Sequence, residues 1–170
     1  MANRTRIILG IVLTIVVGTI CLFCLSAVVD TKVLVLSHQD SGVIYLEKEV
    51  KAHDRLTFNW IHSFEHIPWI EEYTIEDDNT VILHTIRVAG FGAGIPEDKG
   101  TVSFEDGMVV MSDIGEKFEK FSWIHSQTAL VSITLNDSIL IRGPELPHHE
   151  KLELTIQGKR ALCPRFPLTR

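Results

Sequence analysis

The chain has 170 residues, 45% of them hydrophobic, and a formal charge of −6. That is room for one domain plus an accessory segment. All 22 acidic residues lie after position 29, against 14 of the 16 lysines and arginines, so that part carries −8. An acidic domain argues against a nucleic-acid partner and against adhesion to anionic lipid. Three cysteines exclude a disulfide framework.

The first element is an uncharged run from Ile7 to Val29, 23 positions long. About 20 apolar residues cross a bilayer as a helix. Arg4 and Arg6 precede the run and Asp30 follows it. The positive-inside rule therefore puts residues 1–6 in the cytoplasm and the rest of the chain outside. A cleaved signal peptide has a shorter apolar run, roughly 7–15 residues, and a small-x-small cleavage site. The best such site, Cys24-Leu25-Ser26, is poor, and Ile20 and Phe23 before Cys21 and Cys24 do not suit a lipoprotein. The expectation is a single-pass protein of the cell membrane. Its anchor is residues 7–29, its extracytoplasmic domain 30–156 and its loose tail 157–170.

After the anchor the pattern turns to strands. Lys32–Leu36 and Val43–Val50 are rich in branched residues around the turn Gln39-Asp40-Ser41-Gly42. Leu56–His62 and Trp69–Ile75 alternate, and Val81–Val88 follows the turn Asp77-Asp78-Asn79-Thr80. Asp106-Gly107 predicts a hairpin between Thr101–Glu105 and Met108–Ser112, because both residues tolerate positive φ. Asn136-Asp137 predicts another between Thr128–Leu135 and Ser138–Arg142, and Leu152–Ile156 reads as a last strand. The fold class is all-β, an antiparallel sandwich or barrel of about 8–10 short strands.

Two segments carry chemistry. His62-Ser63-Phe64-Glu65-His66 fits H-x-x-E-H, a zinc-hydrolase pattern that works only on a helix. Phe58-Asn59-Trp60-Ile61 before it are poor helix formers, and Pro68 follows at once. A hairpin connection over Ser63–Pro68 is the better reading. With His62 opposite Glu71, Trp60 meets Tyr73; with Ile75 opposite Ile82, Tyr73 meets His84. One face then gathers His62, Glu71, Tyr73 and His84. Such a set fits a buried hydrogen-bonded network, a pocket floor, or a metal site of His62, Glu71 and His84. The second segment, residues 89–100, holds Gly90, Gly92 and Gly94 but no phosphate-loop spacing, and reads as a tight loop.

His62-Ser63-Phe64, Pro68-Trp69-Ile70-Glu71 and Gly92-Ala93-Gly94-Ile95-Pro96, in this order and spacing, resemble the DUF1850 family over about residues 32–142. The resemblance singles out His62, Ser63, Pro68, Glu71, Gly92, Ala93, Gly94 and Pro96 as motif positions. His66 is not part of that pattern. Family members tend to have an N-terminal apolar segment and to be encoded beside TRAP-type transporters of the TAXI class. The resemblance therefore implies a non-catalytic accessory or regulatory part in solute uptake. Its partners would be the transporter's membrane subunits or solute-binding protein, with no cofactor. A membrane-anchored metal-dependent hydrolase using His62 and nearby carboxylates is the alternative, and an envelope interaction protein unrelated to transport is a third.

Overall fold

Leu152, Leu154 and Ile156 are buried while Glu153, Thr155 and Gln157 between them are not, the period-two pattern of a strand with one inward face. In the computed structural model these residues lie in the last of the twelve strands found among the described residues. The structure describes residues 4, 10–19, 26–90 and 99–164, with backbone alone at 26–30 and 161–164. The strands are β1 (Ser26–His38), β2 (Ile44–Val50), β3 (Arg55–Ile61), β4 (Pro68–Ile75), β5 (Val81–Val88) and β6 (Thr101–Glu105). Then come β7 (Met108–Ser112), β8 (Glu116–Phe118), β9 (Lys120–Ile124), β10 (Leu130–Leu135), β11 (Ser138–Arg142) and β12 (Lys151–Pro164). A 3-10 turn, Gly143–Glu145, follows β11.

Two sheets result. The smaller has the order β2-β1-β12-β9; the larger runs β11-β10-β3-β4-β5-β7-β6, with β8 also paired to β5. Leu34 and Leu36 of β1 and Leu152 and Leu154 of β12 share one core with Leu56 and Phe58 of β3 and Tyr73 and Ile75 of β4. The rings of Phe58 in the larger sheet and Phe121 in the smaller are 5.0 Å apart. Two sheets enclosing a common core make a sandwich, the first of the two expected architectures. Contacts divide the chain into two units, residues 32–158, which hold this core, and residues 1–31 with 159–170.

The expected hairpins form. Asp106 and Gly107 have φ of 49° and 80°, and Asn136 and Asp137 have 48° and 66°, the left-handed values that these residues tolerate. Three boundaries differ from expectation. β8 and β9 are additional to the expected strands, because Glu116, Lys117, Glu119 and Lys120 leave little apolar periodicity. The tail expected from residue 157 is instead the second half of β12, running through Gly158. Its neighbour in the sheet is β1, more than a hundred residues earlier, a pairing that local composition does not signal. Residues 26–29, expected at the end of the anchor, belong to β1. Residues 10–19 are helical, and among the described residues no helix is long and apolar enough to cross a membrane. The rest of the expected anchor, residues 7–9 and 20–25, lies outside the described residues.

Candidate functional site

His62 closes a tight turn between β3 and β4. Its backbone N–H donates to Ile67 O at 2.8 Å, and its own carbonyl accepts from His66 N–H at 2.9 Å. His66 sits at φ 56°. The ring Nδ1 of His62 accepts the Glu65 backbone N–H at 3.1 Å. The HSFEH letters thus spell a turn that ends at β4, whose first residue is Pro68, and not a metal-binding helix. With Nδ1 occupied as an acceptor, the neutral ring carries its proton on Nε2.

The register brings Trp60 opposite Trp69 and Phe58 opposite Glu71. The expected pairing of His62 with Glu71 is off by four residues along β3. An even slip keeps every side chain on its face, so His62, Trp60, Trp69, Glu71 and Tyr73 still share one. Glu71 lies opposite Ile86. A bulge between Glu72 and Tyr73 then pairs Tyr73 with Leu83, leaving His84 unpaired and exposed. His84 does not join the cluster, and the set His62, Glu71 and His84 is not gathered. Among the described residues no three His, Cys, Asp or Glu side chains are placed to hold one metal ion.

Glu71 is instead held by aromatic donors. Trp60 Nε1 donates to Oε2 at 3.0 Å and Trp69 Nε1 to Oε1 at 3.1 Å. Burial pushes the Glu71 pKa above the usual carboxylate range; hydrogen bonds from Trp60, Trp69 and Tyr73, and the charge of Lys99, pull it part of the way back. Tyr73 is pushed well above an ordinary phenol, first by burial and then by the Glu71 charge, so it stays a neutral donor. Each indole is braced by a stacked ring. Phe58 stacks on Trp60 at 5.6 Å with planes 8° apart, and the His62 ring stacks on Trp69 at 5.7 Å and 12°.

Trp60, His62, Ser63, Trp69 and Glu71, with Ile61 and Ala129, line an open pocket of ≈ 310 Å³. A second of ≈ 290 Å³ shares His62 and Ser63 and adds His66, Ser126 and Thr128. Of the motif positions, His62, Ser63 and Glu71 line the first pocket. Pro68 starts β4 opposite Ile61, and its carbonyl accepts Ala89 N–H at 3.1 Å. Gly92, Ala93, Gly94 and Pro96 lie outside the described residues. The roles of Trp60 and Trp69 were missed, although the period of two puts Trp69 and Glu71, at i and i+2, on one face.

A second missed residue is His125. It is fully buried, in a Trp-Ile-His-Ser stretch that repeats residues 60–63. Its Nε2 lies 3.0 Å from the Gly143 carbonyl, which only accepts, so Nε2 bears the proton. Nδ1 accepts Trp123 Nε1 at 3.4 Å. Burial pushes the His125 pKa down, as does the charge of His148, against the Gly143 hydrogen bond. A histidine whose folded pKa lies below its unfolded value of ~6.5 stabilises the fold fully above that value. This contribution is lost as the pH falls from there towards the folded pKa. The thermal midpoint of the wild type should drop more steeply between about pH 7 and about pH 5 than that of His125→Gln; equal slopes would refute the buried neutral histidine.

Comparison with known proteins adds one finding. A family model described as a domain of unknown function, DUF1850, matches residues 56–140, from the start of β3 into β11. No curated protein and no solved structure matches the chain. The matched span contains the turn, Trp60, Trp69 and Glu71, and it reaches every strand of the larger sheet. Half of the sequence, including the whole candidate pocket, therefore falls within the model, and the chain belongs to the DUF1850 family.

Proposed function

We propose that the chain is a non-catalytic accessory or regulatory module of a TRAP-type solute transporter of the TAXI class. In this reading the N-terminal apolar segment retains it in the membrane and the β-sandwich works outside the cytoplasm. Its contact surface is the β3–β4 end of the sandwich. The observation that supports a recognition role is the convergence of His62, Ser63 and Glu71 on one open pocket. The Glu71 carboxylate there has each oxygen engaged by an indole N–H, which suits a fixed acceptor in a binding site better than a mobile base. Beside it Phe64 stands 73% exposed at the tip of the turn, an aromatic anchor of the kind that dominates interfaces. The transporter assignment draws on the gene neighbourhood implied by the family resemblance.

Crosslinking in intact membranes, followed by purification of the full chain, should capture a transporter membrane subunit or its solute-binding protein. Phe64→Asp should weaken that capture by about 2 kcal/mol, a roughly thirtyfold loss, without changing the thermal midpoint. Recovery of no transporter component in the wild type would sink the reading.

A further inference from the structure

Glu71 presents an electrostatic problem that the fold leaves open. Its carboxylate is largely withdrawn from water, yet its hydrogen-bond partners, the Trp60 and Trp69 indoles and the Tyr73 phenol, are all neutral donors. Among the described residues no lysine, arginine or histidine forms an ion pair with it, and Lys99, whose charge acts on it, is engaged with Glu116 at 2.6 Å. A buried carboxylate without a counter-charge is costly, and an opposite charge brought close in a poorly solvated site gains more than it would in water.

The surroundings narrow the kind of charge. The ≈ 310 Å³ pocket is lined by the aromatic residues Trp60, Trp69 and His62 together with Ser63, Glu71, Ile61 and Ala129. A volume near the lower end of the ~300–1,000 Å³ range of ligand sites suits a small head group or one side chain. A hard divalent cation asks for about six or more oxygen ligands, and one carboxylate with one hydroxyl does not provide them. Aromatic faces around a carboxylate are the surroundings that stabilise an organic cation, by charge at one side and by ring quadrupoles at the others. The braces matter as well. Phe58 behind Trp60 and His62 against Trp69 fix both indoles before anything binds, so a guest orders few side chains.

We infer that the pocket bounded by Trp60, His62, Ser63, Trp69 and Glu71 is a binding site for an organic cation, an alkylammonium or guanidinium head on an apolar stem. The inference rests on the pocket being a recognition surface. It does not depend on the transporter, since the cation has two sources: a lysine or arginine side chain of a protein partner, or a free small amine. Both present the same chemistry to Glu71.

The test titrates the full-length chain with choline, with capped lysine and arginine amides, and with the uncharged tert-butyl isostere of choline. Binding is followed by calorimetry and by the indole N–H resonances of Trp60 and Trp69. At least one cation should bind and shift both resonances, and the isostere should bind at least about tenfold more weakly. Glu71→Gln should lose affinity for the cation by about the same factor and leave that of the isostere unchanged. The wild-type comparison decides the question should that variant fold poorly. Tighter binding of the capped amino acids points to a partner's side chain, and tighter binding of choline to a free amine; either supports the site. Equal binding of choline and its isostere, or no cation shifting either indole, overturns it. Capture of a transporter subunit in the crosslinking experiment is a separate readout, so the failure of one reading is not mistaken for the failure of the other.

Discussion

Gly143→Ala should cost the sandwich more than ~4 kcal/mol. Gly143 is buried at the start of the 3-10 turn that follows β11. A β-carbon there would overlap the Leu130 carbonyl oxygen and stand 2.8 Å from its carbon, well inside any real contact. Neither side can yield cheaply. Leu130 is itself buried and opens β10 opposite Trp60, so moving it disturbs the strand beside the candidate pocket. Moving Gly143 instead withdraws the carbonyl that accepts His125 Nε2 and leaves a buried imidazole N–H without a partner. Gly107 supplies the comparison. Nothing lies within 4 Å of a β-carbon there, and the only penalty is a φ of 80° in an exposed turn. Gly107→Ala should cost only ~1 kcal/mol. Urea denaturation of both variants separates steric overlap from backbone strain; a Gly143→Ala loss no larger than that of Gly107→Ala would show that the close approach does not exist.

What could be read in the sequence was local. Asp106-Gly107 and Asn136-Asp137 specify their turns because the left-handed conformation is cheap for those residues whatever surrounds them. The rejection of a helix at HSFEH rested on Pro68 and on the β-formers before His62, and the turn there follows the same logic. The face shared by Trp69, Glu71 and Tyr73 needed only the period of two. Register is a different kind of information. The pairing of β3 with β4 depends on how His62 to Ile67 close their turn, and the sequence alone allows slips of two or four that keep all faces apolar. The bulge that expels His84 has no glycine or proline to announce it. The pairing of β1 with β12 joins segments from opposite ends of the chain, so Gly158 was read as a tail residue and not as part of a strand. His125 carries no local signal, because its burial depends on distant segments such as the Gly143 turn, whose carbonyl its Nε2 meets.

Phe58→Ala should cost about 3–5 kcal/mol, and its consequences should reach the pocket as well as the core. The side chain is 1% exposed and touches four other rings. Phe121 and Trp123 belong to the smaller sheet, at 5.0 and 6.2 Å; Tyr73 lies beside it at 5.8 Å, and Trp60 stacks on it at 5.6 Å. Truncation therefore opens a cavity between the sheets and removes the brace behind the indole that holds Glu71 Oε2. Phe58→Leu separates these consequences. Leucine refills most of the volume, so the stability loss should shrink to about 1–2 kcal/mol. It offers no flat face to Trp60, so the indole should gain freedom even in a folded protein. The expected signature is a broadened Trp60 N–H resonance with that of Trp69 unchanged, because Trp69 is braced separately by His62. If Phe58→Leu leaves both resonances sharp, the order of the pocket comes from the Glu71 hydrogen bonds alone. If it broadens Trp60 only, the recognition surface takes its rigidity from the same aromatic contact that joins the two sheets, and substitutions in the core will alter binding without touching the pocket.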